Sequence, residues 1–82
     1  MGRPSKKPPA NLARNARTLG ENVRRLRQLA ELSQEELAEA ADLRQALISE
    51  IERGEANPRL ESLTKIADAL KVRLTDLFSH DR

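Results

Sequence analysis

The sequence predicts an all-α domain of five short helices. Apolar residues recur at helical spacing along the chain, and no stretch alternates apolar and polar residues as a half-buried strand would. Capping residues and short polar connections separate the helical stretches. With 82 residues, the chain is long enough for one domain with a modest core. We divide it into an arm at residues 1–17, a helical domain at 18–79 and a polar tail at 80–82.

The start of the chain is basic and rich in proline. Residues 1–20 carry five basic residues and no acidic one, whereas the rest carries ten basic and thirteen acidic residues. Because proline disrupts regular structure, we expect the arm to be flexible. The Gly-Arg-Pro sequence at residues 2–4 resembles an AT-hook, which lies in the minor groove of A·T-rich DNA; a solvated tail that adds only loose attraction is the alternative. The minor-groove residues of this hypothesis are Arg3, Lys6 and Lys7.

Two short helices joined by a tight turn are predicted at the centre of the chain. Ser33 and Glu36 have the spacing of a capping box, so a helix is expected to begin at Gln34. It ends at a turn over residues 42–44, and a second helix follows over residues 45–53. The outer face of the second helix carries small and hydrogen-bonding side chains instead of the Lys and Glu mixture of an ordinary solvated helix. This composition suits a helix inserted into the major groove of DNA.

Three further helical elements flank this central pair. A first helix is predicted with a secure part at residues 19–31 and a start as early as Asn11, although Gly20 interrupts it at a cost of about 1 kcal/mol relative to alanine. Past the central pair, apolar spacing predicts a helix over residues 60–70 and a last helical turn over residues 74–78. Short connections join all five elements, as in an all-α domain.

Four segments of the sequence together resemble one family. They are LSQEELA at residues 32–38, ISEIERG at 48–54, NPRLESLTKIADAL at 57–70 and VRLTDLF at 72–78. In this order they resemble the phage repressor and Cro-type helix-turn-helix, the five-helix lambda-repressor-like DNA-binding domain. The resemblance covers residues 19–78. It implies a sequence-specific transcriptional regulator that binds double-stranded DNA as a homodimer.

The resemblance also implies roles for individual residues of the central pair. Gln34 matches the family's phosphate-binding glutamine. The family's base-reading positions fall on Gln45, Ala46, Ser49 and Glu50. Among these, glutamine suits adenine, an alanine methyl group suits the thymine methyl group, and glutamate suits cytosine. For Glu50 the alternative is a carboxylate held by a neighbouring arginine or used to reject other sequences, because phosphates repel it.

Further positions match contacts to the DNA backbone. Arg27 and Glu52 match an ion pair that in some relatives joins the first helix to the recognition helix and turns the arginine toward the backbone; a purely structural pair is the alternative. Asn57 and Arg59 match a backbone-contacting loop, and an ordinary surface charge is the alternative for Arg59.

Three residues depart from the family pattern. Asp42 stands in place of the usual turn glycine, and Arg44 and Arg73 stand in place of Ser or Thr caps. Aspartate tolerates the left-handed conformation at some cost, and a lost cap typically costs about 1 kcal/mol. Our hypothesis is that Arg44 offsets this cost by contacting a DNA phosphate.

The homodimer contact is expected from the apolar residues near the end of the chain. These residues are Val72, Leu74, Leu77 and Phe78. The alternative is that Leu74 and Phe78 close the core of the monomer.

The composition of the chain argues against several classes of protein. The chain has no cysteine and a single histidine, His80, in the tail, so we expect neither an enzyme nor a metal site or cofactor. The absence of a secretory signal and of a membrane-spanning stretch predicts a cytoplasmic protein associated with the nucleoid, and the short chain predicts no small-molecule ligand. The leading hypothesis is a repressor or controller; the alternative is the antitoxin or adaptor component of a protein pair, with DNA binding secondary.

Overall fold

The computed structural model describes residues 7–80, which contain helices and no strand. Helix α1 spans Leu12–Leu29, α2 spans Gln34–Ala41, α3 spans Gln45–Glu52, α4 spans Leu60–Leu70, and a 3₁₀ helix spans Leu74–Phe78. None of these helices is long and apolar enough to cross a membrane. The all-α prediction is confirmed, and the central pair begins at the residues that the capping and turn patterns predicted.

The fifth predicted helix is a 3₁₀ helix rather than an α-helix. Its hydrogen bonds span three residues, as when the Asp76 amide donates to the carbonyl oxygen of Arg73 at 2.9 Å. The Asp76 carboxylate in turn accepts from the Arg73 amide at 2.9 Å, which offsets the missing cap at Arg73. The fold therefore consists of four α-helices and this short 3₁₀ helix within the described residues.

Helix α1 starts earlier than the division of the chain assumed. Residues 12–17, assigned to the arm, form the first turns of α1. The segment after α3 packs beside this part of α1, since a Cβ atom placed on Gly54 would lie 3.4 Å from the Cα atom of Arg17. The observed start at Leu12 agrees with the prediction that the first helix begins as early as Asn11.

The four α-helices of the described chain end in the same hydrogen-bonded turn. The residues in the left-handed conformation are Glu31, Asp42, Gly54 and Lys71, with φ between 57° and 74°. The next amide donates to a carbonyl oxygen five residues earlier, for example from Leu43 to Ala38 at 2.9 Å. Asp42 thus adopts the conformation of the missing turn glycine, as predicted, at a cost of about 1 kcal/mol.

The core contains residues from all five elements. The largest fully buried side chains are Val23, Leu37, Ile48, Ile51, Ile66 and Leu77. These are the apolar positions that recur at helical spacing, and α3 packs on both α1 and α2. The core therefore holds α3 through its inner face and leaves its other face to solvent.

One buried polar side chain, Asn22 on α1, connects the 3₁₀ helix to the rest of the domain. Its Nδ2 atom donates to the carbonyl oxygens of Leu77 at 3.0 Å and Ser79 at 2.8 Å. Its Oδ1 atom accepts from Arg25 Nη2 at 3.0 Å. No local pattern in the sequence distinguishes Asn22 from a solvated helical asparagine.

We expect Asn22→Asp to destabilise the domain by about 2 kcal/mol, because a carboxylate cannot donate to two buried carbonyl oxygens. Denaturant unfolding measures the loss, and hydrogen exchange should be faster at residues 74–78. Asn15→Asp, at an exposed position of the same helix, is the matched control and should change stability little. Equal stability of the two variants would contradict a structural role for Asn22.

Candidate DNA-binding surface

The capping box that starts α2 is present. The Glu36 amide donates to Ser33 Oγ at 2.9 Å, and the Ser33 amide donates to Glu36 Oε1 at 2.8 Å. Helix α3 has no such cap, since the side chain of Arg44 makes no capping hydrogen bond. The start of α3 is therefore held by packing, with Ile48 and Ile51 buried beneath it.

The predicted base-reading residues lie on the outward face of α3. Gln45, Ala46 and Glu50 are exposed, and Ser49 is half-buried. The Glu50 carboxylate has no ion pair within residues 7–80, so this structure contains no arginine that holds it. The outer face of α3 therefore presents an amide, a methyl group, a hydroxyl and a carboxylate.

Arg53, just past the end of α3, belongs to this surface although sequence reasoning did not select it. Its Nη1 atom donates to Ser49 Oγ, and its Nε atom donates to Glu55 Oε1 at 3.0 Å. The four-residue spacing between Ser49 and Arg53, which places both on one side of a helix, was the available signal. Ser49 is thus connected to a cation that is 54% exposed.

A buried ion pair connects α1 to the end of α3. Arg27 Nε donates to Glu52 Oε2 at 2.6 Å, and Arg27 Nη2 donates to Glu52 Oε1 at 3.0 Å. The side chains are only 12% and 5% exposed. Arg27 Nη1 also donates to the carbonyl oxygen of Leu32 at 2.8 Å, and Gln34 Nε2 donates to Glu52 Oε1 at 3.0 Å. The network therefore joins α1, α2 and α3.

The hydrogen bond to Glu52, aided by its charge, raises the pKa of Arg27 although burial opposes the shift. A raised pKa means that the contribution of Arg27 to stability is complete below its ordinary pKa and is lost only in stronger alkali. Arg27 therefore stays charged at every pH used to handle the protein.

This network gives Arg27 and Gln34 structural partners. The pairing of Arg27 with Glu52 is confirmed as the resemblance implied, and three guanidinium nitrogens already donate within the chain. Gln34, expected on a phosphate, donates its amide to Glu52. Their contacts to the DNA backbone stay predictions.

The other expected backbone contacts are solvent-exposed. Arg44 and Arg59 occupy the positions just before α3 and α4, and neither has an ion pair within residues 7–80. Asn57 and Lys7 are also exposed. The remaining arm residues, Arg3 and Lys6, lie outside the described residues.

The expected homodimer residues divide between core and surface. Leu77 has no accessible surface, so its assignment to a subunit contact is wrong: the 3₁₀ helix turns it into the core. Val72 and Leu74 also pack against the core and are half-buried. Phe78 is 38% exposed, and Leu60 at the start of α4 is 65% exposed. Phe78 and Leu60 are therefore the large apolar side chains after α3 that the described part of the chain exposes.

The pair α2 and α3, with its capped start, left-handed turn and outward polar face, is a helix-turn-helix. Residues 23–77 match the helix-turn-helix family, and the chain belongs to that family. It is a lambda-repressor-like DNA-binding transcriptional regulator, as the sequence resemblance implied.

Two curated relatives match most of the chain. The chain is 43% identical over 68 residues to control protein C.BamHI of Bacillus amyloliquefaciens, an alignment that covers 80% of this chain and 84% of that protein. It is 31% identical over 64 residues to the immunity repressor protein of Bacillus phage phi105, covering 78% of this chain and 44% of that protein.

Two solved structures of regulators have a fold similar to that of this chain. The restriction-modification controller protein C.AhdI from Aeromonas hydrophila superposes with a TM-score of 0.77 and 34% identity, over 79% of this chain and 98% of that chain. An HTH_3 family transcriptional regulator from Vibrio cholerae gives a TM-score of 0.80 with 27% identity, over 85% of this chain and 39% of that chain.

Proposed function

We propose that the chain is a controller or repressor that reads a two-fold symmetric operator as a homodimer. Helix α3 lies in the major groove of each half-site, and the half-sites are about one helical turn, roughly 34 Å, apart. The outward polar face of α3 carries this proposal, because its side chains are exposed while its apolar face is buried. The similarity to control protein C.BamHI and to the controller protein C.AhdI favours this role over that of an antitoxin or adaptor.

Contacts to the DNA backbone would orient α3. Arg44 stands just before α3, and Arg59 stands just before α4. Both guanidinium groups lack an ion pair within the described residues. Asn57 adds a polar side chain in the loop between them. These groups suit phosphate binding, which sets the register while the α3 side chains supply the specificity. Arg3, Lys6 and Lys7 would extend the contact into the minor groove, and the protein would work on the DNA of the nucleoid.

The homodimer would use the apolar surface that includes Phe78 and Leu60. Both side chains are exposed in one chain and lie outside the helix-turn-helix. Covering them in a two-fold contact would remove apolar area from water. The partly exposed Val72 and Leu74 would extend this surface.

Selection of bound duplexes from a random DNA pool at moderate salt tests the function. We expect an inverted repeat with half-sites about one helical turn apart. Gln45→Ala should relax one base position in each half-site by about tenfold, because a glutamine amide recognises adenine through two hydrogen bonds. Sequencing of the selected pool gives both results.

Arg59→Gln is the matched control, because it removes an exposed cation outside α3. It should weaken binding to all sequences alike and lower the salt dependence, with every base position still specified. Recovery of A·T-rich DNA without symmetry would contradict operator reading by α3.

A further inference from the structure

We infer that Ser49 and Arg53 act as one unit that selects guanine. The Arg53 guanidinium orients the Ser49 hydroxyl so that it donates toward the DNA. This inference rests on the proposed function, in which α3 lies in the major groove.

The side chains of Ser49 and Arg53 are in direct contact. Arg53 Nη1 donates to Ser49 Oγ, so this donated hydrogen occupies a lone pair of the hydroxyl oxygen. The hydroxyl hydrogen must then point away from the guanidinium. Gln45, Ser49 and Arg53 follow one another at intervals of four residues, which places the pair in line with a predicted base-reading side chain on the same side of α3.

The Ser49 hydroxyl hydrogen makes no hydrogen bond to the backbone of α3. Serine and threonine in helices commonly donate to the carbonyl oxygen four residues earlier. Thr64 of α4 does so, with its hydroxyl donating to the carbonyl oxygen of Leu60 at 3.0 Å. Ser49 makes no such bond within residues 7–80. Its hydroxyl hydrogen is therefore available to a ligand.

Arg53 keeps donors that Ser49 does not use. Glu55 Oε1 accepts from Arg53 Nε at 3.0 Å, so the guanidinium is held between Ser49 and Glu55. Its Nη2 group has no partner among the described residues. Together the two side chains offer a hydroxyl hydrogen, guanidinium hydrogens and a positive charge.

Donors combined with a positive charge discriminate between the bases. In the major groove guanine presents two acceptors, N7 and O6, whereas thymine presents one acceptor, O4, beside a methyl group. Cytosine presents the N4 donor, and adenine presents one donor beside one acceptor. A unit that offers donors satisfies both guanine acceptors and leaves the amino groups of cytosine and adenine without a partner. The chemistry therefore favours guanine at the base pair facing this end of α3.

The test compares the full chain with Ser49→Ala, Arg53→Gln and the double variant in the same selection from a random DNA pool. We expect a guanine in the wild-type half-site whose preference falls by about tenfold in each single variant, at the same position. The double variant should lose no more than the stronger single variant, because each substitution already disrupts the unit. The base read by Gln45 should stay specified in every variant, which shows that each variant folds and docks.

Two results would overturn the inference. Single substitutions that relax different base positions, or whose effects multiply in the double variant, would mean that the two residues act independently. An A·T or T·A base pair at the position that both variants relax would mean that the unit does not select guanine. Failure of the wild-type chain to select any inverted repeat would instead contradict the proposed function, so the two failures are distinguishable.

Discussion

Replacement of Gly20 by alanine is expected to destabilise the domain by about 3 kcal/mol, although alanine normally stabilises a helix relative to glycine. A Cβ atom at this position would lie 2.3 Å from the carbonyl oxygen of Ile51 and 3.0 Å from that of Glu52. Both obstacles are backbone atoms at the end of α3, so relief requires α1 and α3 to move apart. For a domain of this size the loss corresponds to a melting temperature lower by roughly 15 °C.

The sign of the change distinguishes this close approach from helix propensity. Thermal unfolding of Gly20→Ala should be compared with Ala13→Gly, which alters an exposed position of the same helix. Ala13→Gly should cost less than about 1 kcal/mol, because Ala13 is the second residue of α1 and the full propensity cost applies to a helix interior. A melting temperature for Gly20→Ala that equals or exceeds that of the wild-type chain would mean that α1 and α3 do not cross this closely.

A second large effect is expected from Glu52→Leu, which leaves the buried guanidinium of Arg27 without its counterion. Removing one partner of a buried ion pair typically costs about 3 to 5 kcal/mol, because the remaining charge stays desolvated. Arg27→Met combined with Glu52→Leu should recover at least half of that loss, since two apolar side chains can pack where two charges were paired. Denaturant unfolding of the two single variants and the double variant gives the coupling energy.

Arg53 and Glu55 provide the matched control for this cycle. Their ion pair has a similar length, 3.0 Å, but the side chains are 54% and 61% exposed. The same cycle with Arg53→Met and Glu55→Leu should give a coupling energy below about 1 kcal/mol. Equal coupling in the two cycles would mean that burial does not set the strength of the Arg27 and Glu52 pair.

The sequence predicts the features that depend on neighbouring residues. The capping box follows from the spacing of Ser33 and Glu36, whereas the left-handed Asp42 follows from its match to the turn glycine of the family. Both are present. The pairing of Arg27 with Glu52 joins two residues that are 25 positions apart in the sequence. It was available only through resemblance to a family, because no local pattern connects the two.

Features that depend on distant contacts were missed or misassigned. The sequence shows that Gly20 lowers helix propensity, but it does not show why glycine is needed there. The reason is the carbonyl oxygen of Ile51, 31 positions away, which leaves no room for a Cβ atom. Leu77 was expected at a subunit contact because periodicity identifies an apolar side chain and does not say whether the core or a partner covers it. The same reasoning could not distinguish Asn22 from a solvated asparagine.

Helix α3 divides its duties between separate residues. Ile48, Ile51 and Glu52 hold it in place, whereas Gln45, Ala46 and Glu50 are exposed. In the proposed function, substitutions at these exposed positions would change the base sequence that α3 reads and would leave the residues that hold α3 unchanged. The chain is therefore a scaffold on which the outer-face residues of a related protein would replace its own.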